Sequence, residues 1–137
     1  MKKSLFPILT LLSFFVFISC SSSDNENSTN GSLLGKWFES NKVETVELTF
    51  NPNGEVIENT VSKQSGTIAE SIGTYTVSEN VIKFKWTKSR NFNKEKNAWE
   101  DYFDNKEEID IVFAIRDGNL HYLNGKGETT ALFTRKQ

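Results

Sequence analysis

From residue 33 onward the chain alternates apolar and polar side chains with a period of two. Val46, Leu48 and Phe50 alternate with Thr45, Glu47 and Thr49; Ile82, Phe84 and Trp86 alternate with Lys83, Lys85 and Thr87; Ile109, Ile111, Phe113 and Ile115 form a third row. Successive side chains on an extended backbone point to opposite faces, so each row predicts a strand with one face buried. No segment carries a convincing helical period. Turn signals fall between the rows: Asn51-Pro52-Asn53-Gly54 suits a type I turn followed by a left-handed glycine, and Asp117-Gly118 and Asn124-Gly125 suit tight hairpin turns. Strands are predicted near 35–40, 44–51, 55–63, 66–77, 81–88, 108–116, 119–123 and 128–135, the fourth interrupted around Gly66 and Gly73. The short connections predict an all-β, antiparallel up-and-down meander of about eight strands, either closed into a small barrel or left as a strongly curled sheet.

Ser89 to Glu107 is the longest break in this pattern and is expected to be a loop. It carries Trp99, Tyr102 and Phe103 among Lys94, Lys96, Glu100, Asp101 and Asp104. Long connections in compact domains often carry function. Two readings stand side by side: the aromatics fold as a cap over an opening, or they cover the edge of the core, for example on a short helix.

The front of the chain follows different rules. Lys2 and Lys3 precede an almost unbroken apolar run from Phe6 to Ile18, and Phe17-Ile18-Ser19-Cys20 ends it with a small residue before the only cysteine. The run falls short of the ~20 residues that a membrane-spanning helix needs. It resembles the signal sequence and lipobox of bacterial lipoproteins, with Phe17 where that family favours leucine. The resemblance implies that residues 1–19 are removed, that Cys20 becomes the lipid-bearing first residue, and that the protein is held on a membrane of the cell envelope, with the outer membrane expected. Residues 20–32 then form a tether, since Ser21 to Ser32 offers nothing that could be buried in a core. As a flexible coil it spans about 17 to 21 Å. Asp24 and Glu26 in this stretch resemble the acidic signal that sends some lipoproteins to the outer face. Residues 33–137 are long enough for one modest core.

Charge and composition narrow the partners. The whole chain carries 16 Lys and Arg against 18 Asp and Glu, a net charge of −2, and loss of Lys2 and Lys3 with the leader lowers it to −4. No basic cluster interleaved with aromatics is present to neutralise phosphates, which argues against nucleic acid. With a single cysteine there is no internal disulfide. Glu100, Asp101, Asp104, Glu107, Glu108 and Asp110 lack the ligand register and glycine of a calcium loop. His121, the only histidine, has no second ligand type or nucleophile motif beside it. No metal, cofactor or catalytic set is therefore expected.

Four stretches carry a second resemblance: Leu34-Gly35-Lys36-Trp37, Leu48-Thr49-Phe50-Asn51-Pro52-Asn53-Gly54, Gly73-Thr74-Tyr75-Thr76-Val77 and Leu132-Phe133-Thr134-Arg135. Their order is similar to that of the small lipocalin-like domains of bacterial lipoproteins. The resemblance implies a barrel opened by a Gly-x-Trp strand, with a late basic residue packed over the tryptophan. Trp37 and Arg135 also meet these conditions physically, because the first strand's start and the last strand's end lie at one end of an even-stranded meander. The function expected is non-enzymatic binding of a small or apolar ligand, or of an envelope protein, at the barrel end by a monomer, with Trp86, Trp99, Tyr102, Phe103 and Phe113 as candidate lining or cap residues. The alternatives are a barrel filled by side chains that serves as an interaction domain, and glycan binding through Trp99 and Tyr102.

Overall fold

A computed structural model describes residues 33–136. Ten strands follow in chain order: β1 Gly35–Ser40, β2 Glu44–Phe50, β3 Glu55–Ser62, β4 Ile68–Ser78, β5 Val81–Asn93, β6 Ala98–Trp99, β7 Phe103–Asp104, β8 Glu108–Arg116, β9 Asn119–Leu123 and β10 Thr129–Arg135. There is almost no helix. Eight strands pair antiparallel in the order β1-β2-β3-β4-β5-β8-β9-β10, and β10 returns to β1 through Trp37↔Arg135 and Phe38↔Thr134. The sheet is thus a closed up-and-down barrel, and the open curled sheet is ruled out for this chain. Closure pairs both edges that an open sheet would expose. The short β6 and β7 both pair with the far half of β5.

Leu33, Trp37, Val46, Leu48, Phe50, Val56, Tyr75, Ile82, Phe84, Trp86, Phe113, Leu120 and Phe133 form one continuous core inside the barrel. The turns are built as their residues require. Gly54 adopts φ +82° at the end of the Asn51 turn, donates to the Asn51 carbonyl at 3.1 Å, and gives way to the Asn51 N–H···O=C Glu55 bond that starts the next strand. Asp117 and Gly118 both have positive φ, as a type I′ hairpin demands. The connection after β9 is wider than the two-residue turn expected at Asn124-Gly125: Asn124 N–H bonds Glu128 C=O, its side chain accepts from Lys126 and Glu128, and the left-handed residue is Gly127.

The main departure from expectation lies in β5, which continues through Ser89 to Asn93 where a loop was predicted. Ile72 pairs with Lys88 and Gly73 with Trp86, so Thr87 is an extra residue, a bulge that reverses the inward parity of the strand. Its hydroxyl donates to the Ile72 carbonyl at 2.9 Å. Gly73 permits the bulge, because a Cβ there would sit 2.4 Å from the Lys85 carbonyl oxygen. The expected interruption of β4 at Gly73 is therefore a register shift within a continuous strand, whereas Gly66 lies in the turn before it.

Candidate functional site

Strand register assigns the inner wall of the barrel row by row, since directly paired residues share a face. One row is Gly35, Phe50, Val56, Gly73 and Trp86; the next is Trp37, Leu48, Glu58, Ser71 and Ser89; the third is Glu39, Val46, Thr60, Ala69 and Asn91. The rows change character as they climb. The first is apolar, the second mixed, and the third mostly polar.

The end where β1 begins is closed. Trp37 is fully buried, its indole N–H donates to the Leu33 carbonyl at 2.7 Å, and Leu33 is itself fully buried. The Arg135 guanidinium lies 4.3 Å from the indole ring and donates to the Leu34 carbonyl at 2.7 Å. Above this floor the core is aromatic. Phe50 meets Tyr75 edge-on at 4.9 Å, and Phe84 stacks on Trp86 at 5.5 Å. The Tyr75 hydroxyl reaches the Asn51 carbonyl at 3.1 Å, and burial pushes its pKa up.

The opposite end is lined differently. Ser71 and Ser89 hydroxyls meet at 2.8 Å, and the Asn105 amide donates to the Ser89 oxygen at 2.9 Å. Glu58 stands on the same wall. Burial, followed by repulsion from Glu44, raises its carboxyl above the ordinary range; Thr60 opposes this with a long hydrogen bond, and Glu107 adds to it. Glu44, two residues before the inward Val46, and Glu107, two before the inward Ile109, share the inner face. Tyr122, between Phe113 and Ala131 in the pairing of β8, β9 and β10, faces the same space and packs on Phe133 at 4.9 Å. Burial, and then the charges of Glu58 and Glu39, raise its phenol strongly. Glu58 and Tyr122 are both surrounded by protein, yet each keeps part of its surface open to solvent. Both side chains therefore lie on the inner wall and are only partly buried.

The residues singled out in the sequence are not gathered at one site. Trp86 and Phe113 are core side chains, buried among the aromatics of the barrel. Trp99 and Tyr102 lie on the outer wall: the Arg90 guanidinium stacks 4.6 Å from Trp99 and 4.4 Å from Tyr102, and Phe92 meets Trp99 edge-on at 5.4 Å. Arg90 also pairs with Glu70 at 2.8 Å, and the Tyr102 hydroxyl donates to the same carboxylate oxygen at 2.6 Å, which raises the tyrosine pKa. These aromatics do not fold over the mouth as a cap, nor do they sit on a helix, because the bulge at Thr87 turns Lys88, Arg90 and Phe92 outward to receive them. Phe103 alone stays near the opening. It pairs with Ser89 on the inner side of the rim and is 53 % exposed.

Two grooves mark the outer surface around β5. One of about 400 Å³ lies between Lys85, Trp86, Thr87, Lys106 and Glu108, beside the bulge. The other, of about 360 Å³, runs beside Trp99, Asn93, Glu100 and Asp101. Cys20 lies outside the described residues. Glu58, Ser71, Ser89 and Tyr122 carry the inner site and were missed in the sequence; the signal that could have found them is the polar continuation, in register, of rows that begin apolar.

No protein-family model matches this chain, and neither a curated protein nor a solved structure matches it.

Proposed function

We propose that the protein is a membrane-tethered lipoprotein whose barrel takes a small ligand through its open end without chemical conversion. The observation that supports this reading most directly is the contrast along the inner wall: a buried, aromatic floor under a polar stretch of wall formed by Glu58, Ser71, Ser89 and Tyr122. Ligand sites commonly combine an apolar lining with a few placed polar groups. Leu33 enters at the closed end, so a chain held at Cys20 presents the chamber at the end away from its tether. The tether test is separate: Cys20→Ser should abolish incorporation of an alkyne fatty acid in cells, and labelled variant protein would remove the anchor.

The chamber is tested by NMR titration of the full chain with a panel of small amphiphiles. Saturable binding should shift the resonances of Glu58, Ser71, Ser89 and Tyr122 and leave Trp37 unmoved. Shifts confined to the outer wall near Trp99 would favour the alternative in which the groove beside that ring holds a glycan. No saturable shift anywhere would leave the interaction-domain reading.

A further inference from the structure

One aromatic side chain is ordered on the outside of the barrel without serving its core. Trp99 is 37 % exposed and stands apart from the continuous cluster of buried residues inside. It is nevertheless clamped. The Arg90 guanidinium stacks 4.6 Å from the ring, Phe92 meets it edge-on at 5.4 Å, and Arg90 is itself fixed by Glu70 at 2.8 Å. Holding long side chains in one geometry costs rotamer entropy, and an exposed cation–π contact offsets only part of it. A ring ordered in advance lowers the cost of binding something to it. Tyr102 is not a second ring of this kind, because Lys88 and Arg90 lie 4.6 and 4.4 Å from its centre and its hydroxyl is taken by Glu70.

The groove of about 360 Å³ beside Trp99 is an independent observation, and its volume falls in the range of small-molecule sites. It lies on the hairpin that joins β5 to β6, beyond the last row of the inner wall. Around the indole its lining is polar, with Asn93, Lys96, Glu100 and Asp101. The hairpin is braced from within. Lys96 N–H donates to Asn93 Oδ1 at 3.0 Å, the Asn93 amide donates to Glu100 Oε1 at 3.3 Å, and Glu100 N–H donates to the Asn91 carbonyl at 2.9 Å. The Lys96 ammonium and the Asp101 carboxylate make no hydrogen bond or ion pair to any described residue, so a donor and an acceptor are both offered to the groove.

A ligand for this groove needs an apolar face for the indole and an edge of groups that both donate and accept. A carboxylate or phosphate would be repelled by Glu100 and Asp101, an ammonium by Lys96 and Arg90, and a plain hydrocarbon would leave Asn93, Lys96 and Asp101 desolvated and unpaired. A pyranose meets both demands, with C–H groups on its faces and hydroxyls along its edge. We propose that this groove is a second binding site, separate from the open end of the barrel, for a neutral saccharide. One sugar ring rests on Trp99, its hydroxyls donate to Asp101 and Glu100, and one of them accepts from Lys96.

The test is an NMR titration of the full chain, held in lipid nanodiscs, that follows the indole N–H signals of Trp37, Trp86 and Trp99 and the amides of Glu100 and Asp101. The probes are neutral hexasaccharides of glucose, mannose, galactose, xylose and N-acetylglucosamine, with hexagalacturonate as the charged comparison and sorbitol as a polyol without a ring. At least one neutral hexasaccharide should shift the Trp99 signals saturably, with a Kd of about 0.1 to 5 mM, and leave Trp37 and Trp86 unmoved. Hexagalacturonate and sorbitol should bind about tenfold more weakly or not at all. Trp99→Ala should weaken binding about tenfold or more and Asp101→Ala a few-fold, whereas Leu132→Ala, at an exposed site on β10, should change nothing. No saturable shift with any neutral hexasaccharide, equal binding of sorbitol or hexagalacturonate, or an affinity unchanged in Trp99→Ala would overturn the saccharide site. Amphiphile binding inside the barrel should be the same in Trp99→Ala as in the wild type, which keeps failure of one site distinct from failure of the other. Circular dichroism follows folding, and Asp101→Ala carries the comparison should Trp99→Ala unfold.

Discussion

The two ends of this barrel are built from the same strands and behave as different materials. At the closed end β3, β4 and β5 contribute Val56, Tyr75, Ile82, Phe84 and Trp86, all buried; a few residues along the same strands they contribute Glu58, Ser71, Ser89 and Asn91. One end is held by aromatic packing and two side chains that seal the floor. The other is held by strand pairing around a polar stretch of inner wall. Alternation within a strand therefore tells which face turns inward, while position along the strand decides whether that face is packed or lined.

That contrast predicts where substitutions hurt. Trp37→Ala should have the largest effect, a loss of about 3 to 5 kcal/mol, because it empties a fully buried site and removes the bond to Leu33. Urea denaturation would measure it, and a loss below 1 kcal/mol would mean that the floor is not the keystone of the closed end. Gly73→Ala comes next, at about 2 kcal/mol, since its new methyl meets the backbone of Lys85 and Trp86, which cannot move aside without breaking the bulge. Arg135→Ala should cost about 1 kcal/mol or somewhat more through loss of the guanidinium that covers the indole. A melting curve that coincides with the wild type would detach Arg135 from the closure.

At the open end the sign reverses. Glu58→Gln should raise the melting temperature at neutral pH by a few degrees, because a charge penalised by burial and by Glu44 is removed. The sign follows from linkage: a carboxyl whose folded pKa lies above its ordinary value near 4.5 binds its proton more tightly when folded, so its penalty is full above the folded pKa and fades as the pH falls toward 4.5. The advantage of the variant should fade over that same interval. Glu47 opposes this at lower pH. Its hydrogen bond to Lys136, with Lys36 beside it, holds its carboxyl below the ordinary range, so its contribution is present above 4.5 and is lost as the pH falls through the lowered value. A pH-independent advantage for Glu58→Gln would show that Glu58 is not buried as described. The smallest effect belongs to Trp99→Ala on the outer wall, expected within about 0.5 kcal/mol of wild type, and an unfolding domain would instead make this ring part of the core.

Period-two rows and turn residues were sufficient to place the eight barrel strands to within a few residues, the far half of β5 apart, because alternation and left-handed glycines such as Gly54 act locally. The pairing of Trp37 with Arg135 was also legible, since in a meander with an even number of strands both termini of the sheet meet at one end. The inner site was not. Glu58, Thr60, Ser71 and Ser89 look like surface residues in one dimension, where a polar side chain in an alternating row reads as an outward one. The aromatic loop was misread for a related reason: beyond Thr87 the inward positions of β5 change from even to odd, so Lys88, Arg90 and Phe92 no longer follow the row set by Ile82, Phe84 and Trp86.

The sequence by itself determined an all-β meander, the turns at Asn51–Gly54 and Asp117-Gly118, and its apolar floor, since these depend on steric preference and burial over neighbouring residues. Only the tertiary structure decided that the sheet closes, that a one-residue bulge sends Trp99 and Tyr102 to the outside, and that several glutamates share the inner wall with Tyr122. The reason is physical: closure and register bring together residues tens of positions apart, and whether an inward polar group is wetted depends on how far the facing walls stand from one another, a distance that no single strand encodes.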